Sequence, residues 1–190
     1  MTNRRELILQ SAINRIAEQG DSFSTEQVAQ DASCSQSLIF RHFGSKENLM
    51  EECFARVCQN TLDNLCSVEK PKTLTKEALD NYAIDLWKTN YSFLRTNNQI
   101  ARTYLFFIGK GRMFPKGYNN PRDALVRVLG DMYYEIVERN PDFIFIAGYL
   151  MVMANVVAAG PYREWISSVC KVPNERLELI LRYGVQGEKP

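Results

Sequence analysis

The sequence predicts an all-α protein, and three observations carry that reading. Apolar residues recur at three- and four-residue spacing along most of the chain. No stretch alternates convincingly between apolar and polar, and no Asn-Gly or Asp-Gly pair marks a hairpin. Turn signals such as Pro71, Asn119-Asn120-Pro121, Asn140-Pro141 and Gly160-Pro161 punctuate the periodic stretches.

The first helix is expected from Arg4 to Gln19, with Ile8, Leu9, Ala12, Ile13 and Ile16 on one face. Asn3 can cap its start, with Glu6 in the reciprocal position, and Gly20 ends it. Ser24 and Gln27 form a capping box, and Phe23 and Val28 flank it as a hydrophobic staple. A short helix therefore starts at Thr25. The run Asp31-Ala32-Ser33-Cys34-Ser35 reads as a turn, and Ser35 can cap a third helix that ends at Gly44. Ser45 caps a fourth. Further helices are expected near 45–69, 74–97, 99–110, 122–139, 142–159 (with a kinked extension to 169) and 174–184.

Composition excludes several classes. The 190 residues are 45% hydrophobic and 24% charged, which suits an ordinary buried core and not a disordered, collagenous or disulfide-stapled chain. Twenty-three basic and 22 acidic residues leave a net charge of +1, so any grip on nucleic acid must come from local placement. The start MTNRRELILQ has no apolar signal core, and a cytoplasmic protein is expected. Five cysteines without a Cys-x-x-Cys pair read as reduced, mostly buried thiols. The single histidine, His42, excludes a His-rich metal site, and no metal or cofactor is expected.

Residues 25–44 have the pattern of a helix-turn-helix. Ala29 is the small residue where two short helices cross, and Val28, Ala32, Ile39 and Phe43 line their inner faces. Ser33 takes the place where a left-handed glycine is common, at a cost of about 1 kcal/mol if it is left-handed. The outer face of the third helix carries Ser35, Gln36, Ser37, Phe40 and Arg41. Such a helix fits a major groove, where Gln36 can pair bidentately with adenine and Ser37 can bond several bases. Arg41, His42 and Lys46 then lie near the flanking phosphates. Residues 1–60 hold six basic and eight acidic side chains, so binding requires segregation. Arg4, Arg5, Arg41 and Lys46 would face the duplex, with Glu18, Asp21, Glu51 and Glu52 turned away. A plain helical hairpin in a bundle remains the alternative.

The segment FSTEQVAQDASCSQSLIFRHFGSKENLMEECF resembles the DNA-binding head of the TetR (tetracycline repressor-like) family of transcriptional regulators. The preceding helix, the Phe-Ser-Thr entry, Phe-Arg-His-Phe and Ser-Lys-Glu-Asn-Leu match in order, over roughly residues 4–54. The resemblance implies a three-helix head that binds a palindromic operator in double-stranded DNA, and a larger helical body for effector binding and dimerisation. We divide the chain accordingly into 1–47 and 48–190. By position, Thr25 and Lys46 would contact phosphates, and Gln36 and Ser37 would reach bases. Phe40 stands where the family usually has a tyrosine on the backbone, with His42 two residues on. Ser33 (glycine expected) and Cys34 (usually valine) also depart from the pattern.

The body carries no defensible enzyme motif, and no enzyme is expected. Gly109-Lys110-Gly111-Arg112 is too short for a phosphate loop and reads as a solvated loop. Aromatics are dense between 82 and 118. Trp87, Tyr91, Tyr104 and Phe107 either pack as core or line a pocket for a small apolar or amphipathic effector. From Phe143 to Tyr162 no residue is charged, but interruptions at Gly148, Asn155, Gly160 and Pro161 argue against a membrane span. A helix apolar nearly all round must be buried on every side. With the last helix it would form the dimer interface, the surface the family usually uses. Two readings result: a regulator, expected to be a repressor released by its effector, or a helical small-molecule-binding protein with a degenerate head.

Overall fold

The computed structural model describes residues 4–112, 114–116 and 121–159. Among them are helices α1 (Arg4–Gln19), α2 (Thr25–Asp31), α3 (Gln36–Phe43), α4 (Lys46–Leu65) and α5 (Lys76–Thr96). These are followed by α6 (Asn98–Gly109), α7 (Pro121–Leu129), α8 (Met132–Arg139) and α9 (Pro141–Ala158). No strand occurs among the described residues. The described residues form two compact units, one from those up to 60 with those between 97 and 116, the other from 61–96 with 121–159. The helix expected at 174–184, the extension to 169, the Asn3 cap and Cys170 lie outside the described residues.

In the first unit the predicted face of α1 is the core. Ile8, Leu9, Ala12, Ile13 and Ile16 are each no more than 2% exposed. α1 packs against α6 and α2. The fully buried Thr103 hydroxyl on α6 donates to the Ile13 carbonyl at 3.1 Å, which satisfies both polar groups. On α4, the Phe54 ring is stacked on Phe107 with centroids 4.2 Å apart. Gly109, Lys110 and Gly111 are exposed, as a solvated loop requires, and ion pairs hold the run as well. Lys110 pairs with Asp21 at 2.8 Å, and Arg112 bonds both oxygens of Glu51 at 2.7 Å. Charge pairing therefore ties this turn to the head, at positions far apart in sequence.

The capping box at α2 forms as expected: the Gln27 amide donates to Ser24 Oγ at 3.2 Å, and the Ser24 amide to Gln27 Oε1 at 2.7 Å. Phe23 and Val28 are buried beside it. The turn between α2 and α3 places Ser33 at φ +50°. An L-residue there is strained by about 1–2 kcal/mol. Ser33→Gly should therefore raise stability by about 0.5–1 kcal/mol after glycine's larger entropy loss is counted. A higher urea midpoint at constant m would bear this out, and a lower midpoint would contradict it.

In the second unit α5 lies along α9. Tyr82 stacks on Phe143 with centroids 6.2 Å apart. The single helix expected over 122–139 is two, because Gly130 at φ +61° ends α7 and turns the chain into α8. Within α9, Phe143, Ala147, Leu150, Ala154 and Ala158 are buried, whereas Met151, Val152 and Val156 are half-buried and Gly148 is exposed. Burial on every side is therefore not met within one chain. Among the described residues no helix is long and apolar enough to cross a membrane.

Candidate nucleic-acid interface

The third helix is held at both ends. The Leu38 amide donates to Ser35 Oγ at 3.3 Å, and the Gly44 amide to the Phe40 carbonyl at 2.8 Å. Gly44 has φ +76°, a conformation that suits glycine and stops the helix after two turns. Ile39 and Phe43 are buried, 1% and 4% exposed, and fix which face turns outward. That outward face carries Ser37, Phe40 and Arg41, all exposed, with Gln36 and His42 half-buried. Phe40 is 42% exposed, an apolar ring with no hydroxyl. Ser35 Oγ lies 2.9 Å from Ser37 Oγ, so the cap also orients the first outward hydroxyl.

The cations divide into two kinds. Arg4 donates from Nη1 to the carbonyls of Ala32 (3.0 Å) and Ser33 (3.3 Å), clamping the strained turn. Arg5 pairs with Glu52 and lies 5.0 Å over the Phe43 ring. Lys46 donates to the carbonyls of Asp21 (2.7 Å) and Phe23 (2.6 Å) and lies over the Phe23 ring. These three hold the helices of the head together. Arg41 is exposed and makes no ion pair among the described residues. On α1, Arg15 bonds both oxygens of Asp31 on α2 and holds that carboxyl below its ordinary range. Because the folded pKa is lowered, this contribution is present at neutral pH and is lost as pH falls through it.

Thr25 is buried, and its Oγ1 accepts from Gln36 Nε2 at 2.7 Å. The same nitrogen donates to Glu26. The sequence reasoning missed Glu26, whose place in the first turn of α2 reads only as a favourable dipole charge. Its bond to Gln36 joins residues ten apart across the turn.

Residues 8–53 match the family model of bacterial regulatory proteins, tetR family. The chain carries a TetR-family head. The whole fold agrees with solved structures of such regulators. A TetR-family transcription regulator from Marinobacter aquaeolei VT8 is 16% identical, with a TM-score of 0.67, over 96% of this chain and 94% of that one. A transcriptional regulator from Rhodococcus sp. Rha1 is 17% identical, with a TM-score of 0.68 over 96% and 94%. The fatty acid degradation regulator FadR from Bacillus halodurans is 15% identical, with a TM-score of 0.65 over 97% and 95%. At these identities the likeness is one of fold. No curated protein matches the chain in sequence.

Beyond the TetR-family head, the four aromatics expected around an effector fall into two pairs. Tyr104 and Phe107 pack on Phe54 in the first unit. Trp87 and Tyr91 stack at 5.1 Å in the second. The more telling residue there is Asn90, which the aromatic pattern did not single out. It is 0% exposed, and neither amide atom has a hydrogen-bond partner. Trp87 Nε1 and the Tyr82 hydroxyl, also on α5, are likewise buried and unpartnered. Burial pushes the Tyr82 phenol up to about 12, so it stays a neutral donor. Each such group costs about 1–3 kcal/mol. An open groove of about 460 Å³ lies elsewhere in this unit, lined by Asn64, Lys88, Thr89, Ser92, Phe93 and Thr96.

Two thiols on α4, Cys53 and Cys58, are buried. Burial pushes Cys58 up to about 12 and Cys53 higher still. Of the thiols expected to be mostly buried, Cys34 is half-buried and Cys66 is exposed, donating weakly to the Arg127 carbonyl at 3.6 Å. Among the described residues no cluster of three or more His, Cys, Asp or Glu could hold a metal ion.

Proposed function

We propose that this chain is a ligand-responsive transcriptional repressor that binds a palindromic operator as a homodimer. The observation that carries the reading is α3, a short helix capped at both ends whose outward face holds Ser37, Phe40 and Arg41. In this reading Gln36 and Ser37 meet base edges in the major groove. Arg41 and His42 meet phosphates, and Phe40 supplies apolar contact to a sugar or a thymine methyl. Arg4, Arg5, Thr25 and Lys46, already bonded within the head, act at its margin, where backbone contacts set orientation. Dimerisation runs through the last two helices. The half-buried apolar flank of α9 supports this. Two recognition helices about 34–36 Å apart then read two half-sites.

The effector reading rests on the second unit. Unpartnered polar atoms around Trp87 and Asn90 suit an amphipathic ligand that supplies both a donor and an acceptor inside an apolar setting. Release of DNA is limited to the effector's differential affinity for the two states of the dimer.

A salt titration tests the DNA half of the proposal. Affinity for duplex DNA should fall linearly on a log–log plot, by about 0.9 per phosphate neutralised. Arg41→Ala should flatten that slope by about 1 for each head engaged. No duplex binding even at low salt would favour the second reading, a ligand-binding protein with a degenerate head. The missing hydroxyl at Phe40 and the acidic balance of residues 1–60 motivate that alternative.

A further inference from the structure

The bond between Gln36 and Glu26 bears on which base the head accepts, given the DNA-binding reading above. Gln36 has two amide hydrogens, and Nε2 spends them on two acceptors, Thr25 Oγ1 at 2.7 Å and Glu26 Oε1. A carboxylate only accepts, so Glu26 decides which way round the Gln36 amide lies: the nitrogen must face α2. Its own backbone amide, then the Ser24 hydroxyl and the Gln36 amide, hold the Glu26 carboxyl below its ordinary range. It is therefore ionised at neutral pH. Thr25 is buried, so its oxygen is fixed by the fold. The amide of Gln36 is left with its carbonyl oxygen as the atom available to a base.

Bidentate recognition of adenine needs one N–H for N7 and one oxygen for the N6 amino group. A Gln36 whose hydrogens are both taken cannot supply the first. Its oxygen can accept from any amino group in the major groove, and both adenine N6 and cytosine N4 present one. We propose that Glu26 is a specificity-setting positioning residue, which turns Gln36 from an adenine reader into an acceptor for adenine or cytosine while disfavouring guanine and thymine.

Selection from a pool of random duplexes, run in parallel with wild type, Gln36→Ala, Glu26→Ala and Glu26→Gln, tests this. Gln36→Ala locates the half-site position that Gln36 reads, as the one whose preference flattens. At that position wild type should recover adenine and cytosine within about threefold of each other, with guanine and thymine about tenfold rarer. Glu26→Ala frees one amide hydrogen, and the preference should narrow to adenine over cytosine by about tenfold. Glu26→Gln can donate as well as accept, so it no longer fixes the Gln36 amide and should narrow the preference towards adenine, by less than Glu26→Ala does. A thermal midpoint for each variant guards against a folding defect, because a purely structural role for Glu26 would weaken all sites alike. Adenine preferred tenfold by wild type and unchanged in Glu26→Ala would overturn the proposal, as would a Gln36→Ala pool identical to wild type. Failure to enrich any sequence with any variant would instead refute the DNA-binding reading on which it rests.

Discussion

Phe54→Ala should destabilise the chain by about 3–5 kcal/mol, the cost of deleting a fully buried phenyl group whose surroundings collapse only in part. Phe54 is 0% exposed. Its ring lies 4.2 Å from Phe107 and is inclined to it by 12°. Tyr104 approaches it at 6.1 Å, and the Arg112 guanidinium lies 5.3 Å from its centre. Alanine would remove the transfer free energy of the ring, the offset stack and the surface on which Arg112 rests. Arg112 also holds Glu51 on α4, so loosening the ring weakens a charged contact formed over 61 residues of sequence. Chemical denaturation monitored by circular dichroism measures the effect. A loss below about 1 kcal/mol would mean that α4 and α6 do not meet through this ring.

Asn90→Leu should do the opposite and raise stability by about 1–3 kcal/mol. A buried asparagine normally earns its place through bonds that leucine cannot make. Here neither amide atom has a partner, so the near-isosteric swap removes a desolvation penalty and adds apolar contact along α5. The sign is the informative part, because most core substitutions destabilise. A site that keeps an unsatisfied group at a cost in stability fits one reserved for a ligand. Asn90→Leu should also bind duplex DNA as wild type does, since the residue lies outside the head. A drop in the denaturation midpoint would mean that a buried water satisfies the amide, and the effector reading would lose its support.

Local chemistry was legible from the residues alone. The capping box at Ser24 and Gln27, the stop at Gly44 and the left-handed Ser33 each depend on a few consecutive residues, and each is where the pattern puts it. The apolar face of α1 follows from spacing for the same reason. What the sequence concealed is long-range. Arg4 and Lys46 read as cations for a phosphate backbone, yet they bond carbonyls 28 and 25 residues away. Lys110 and Arg112 read as a solvated basic loop, but their partners lie 89 and 61 residues off. Charge in a sequence carries no address, and an arginine satisfied by a carbonyl looks the same as one awaiting a phosphate. Gly130 was missed because an isolated glycine inside a helical pattern is tolerated at a cost of roughly 1 kcal/mol, so it does not by itself mark a break. Asn90 was missed because it stands among other polar residues, Lys88, Thr89 and Ser92, and only its burial sets it apart.

Capture of random duplexes by the pure chain at low salt tests the central claim most directly. The account predicts an enriched inverted repeat whose half-site centres lie about 10–10.5 base pairs, or a multiple of that spacing, apart. A recovered pool indistinguishable from the input would contradict it.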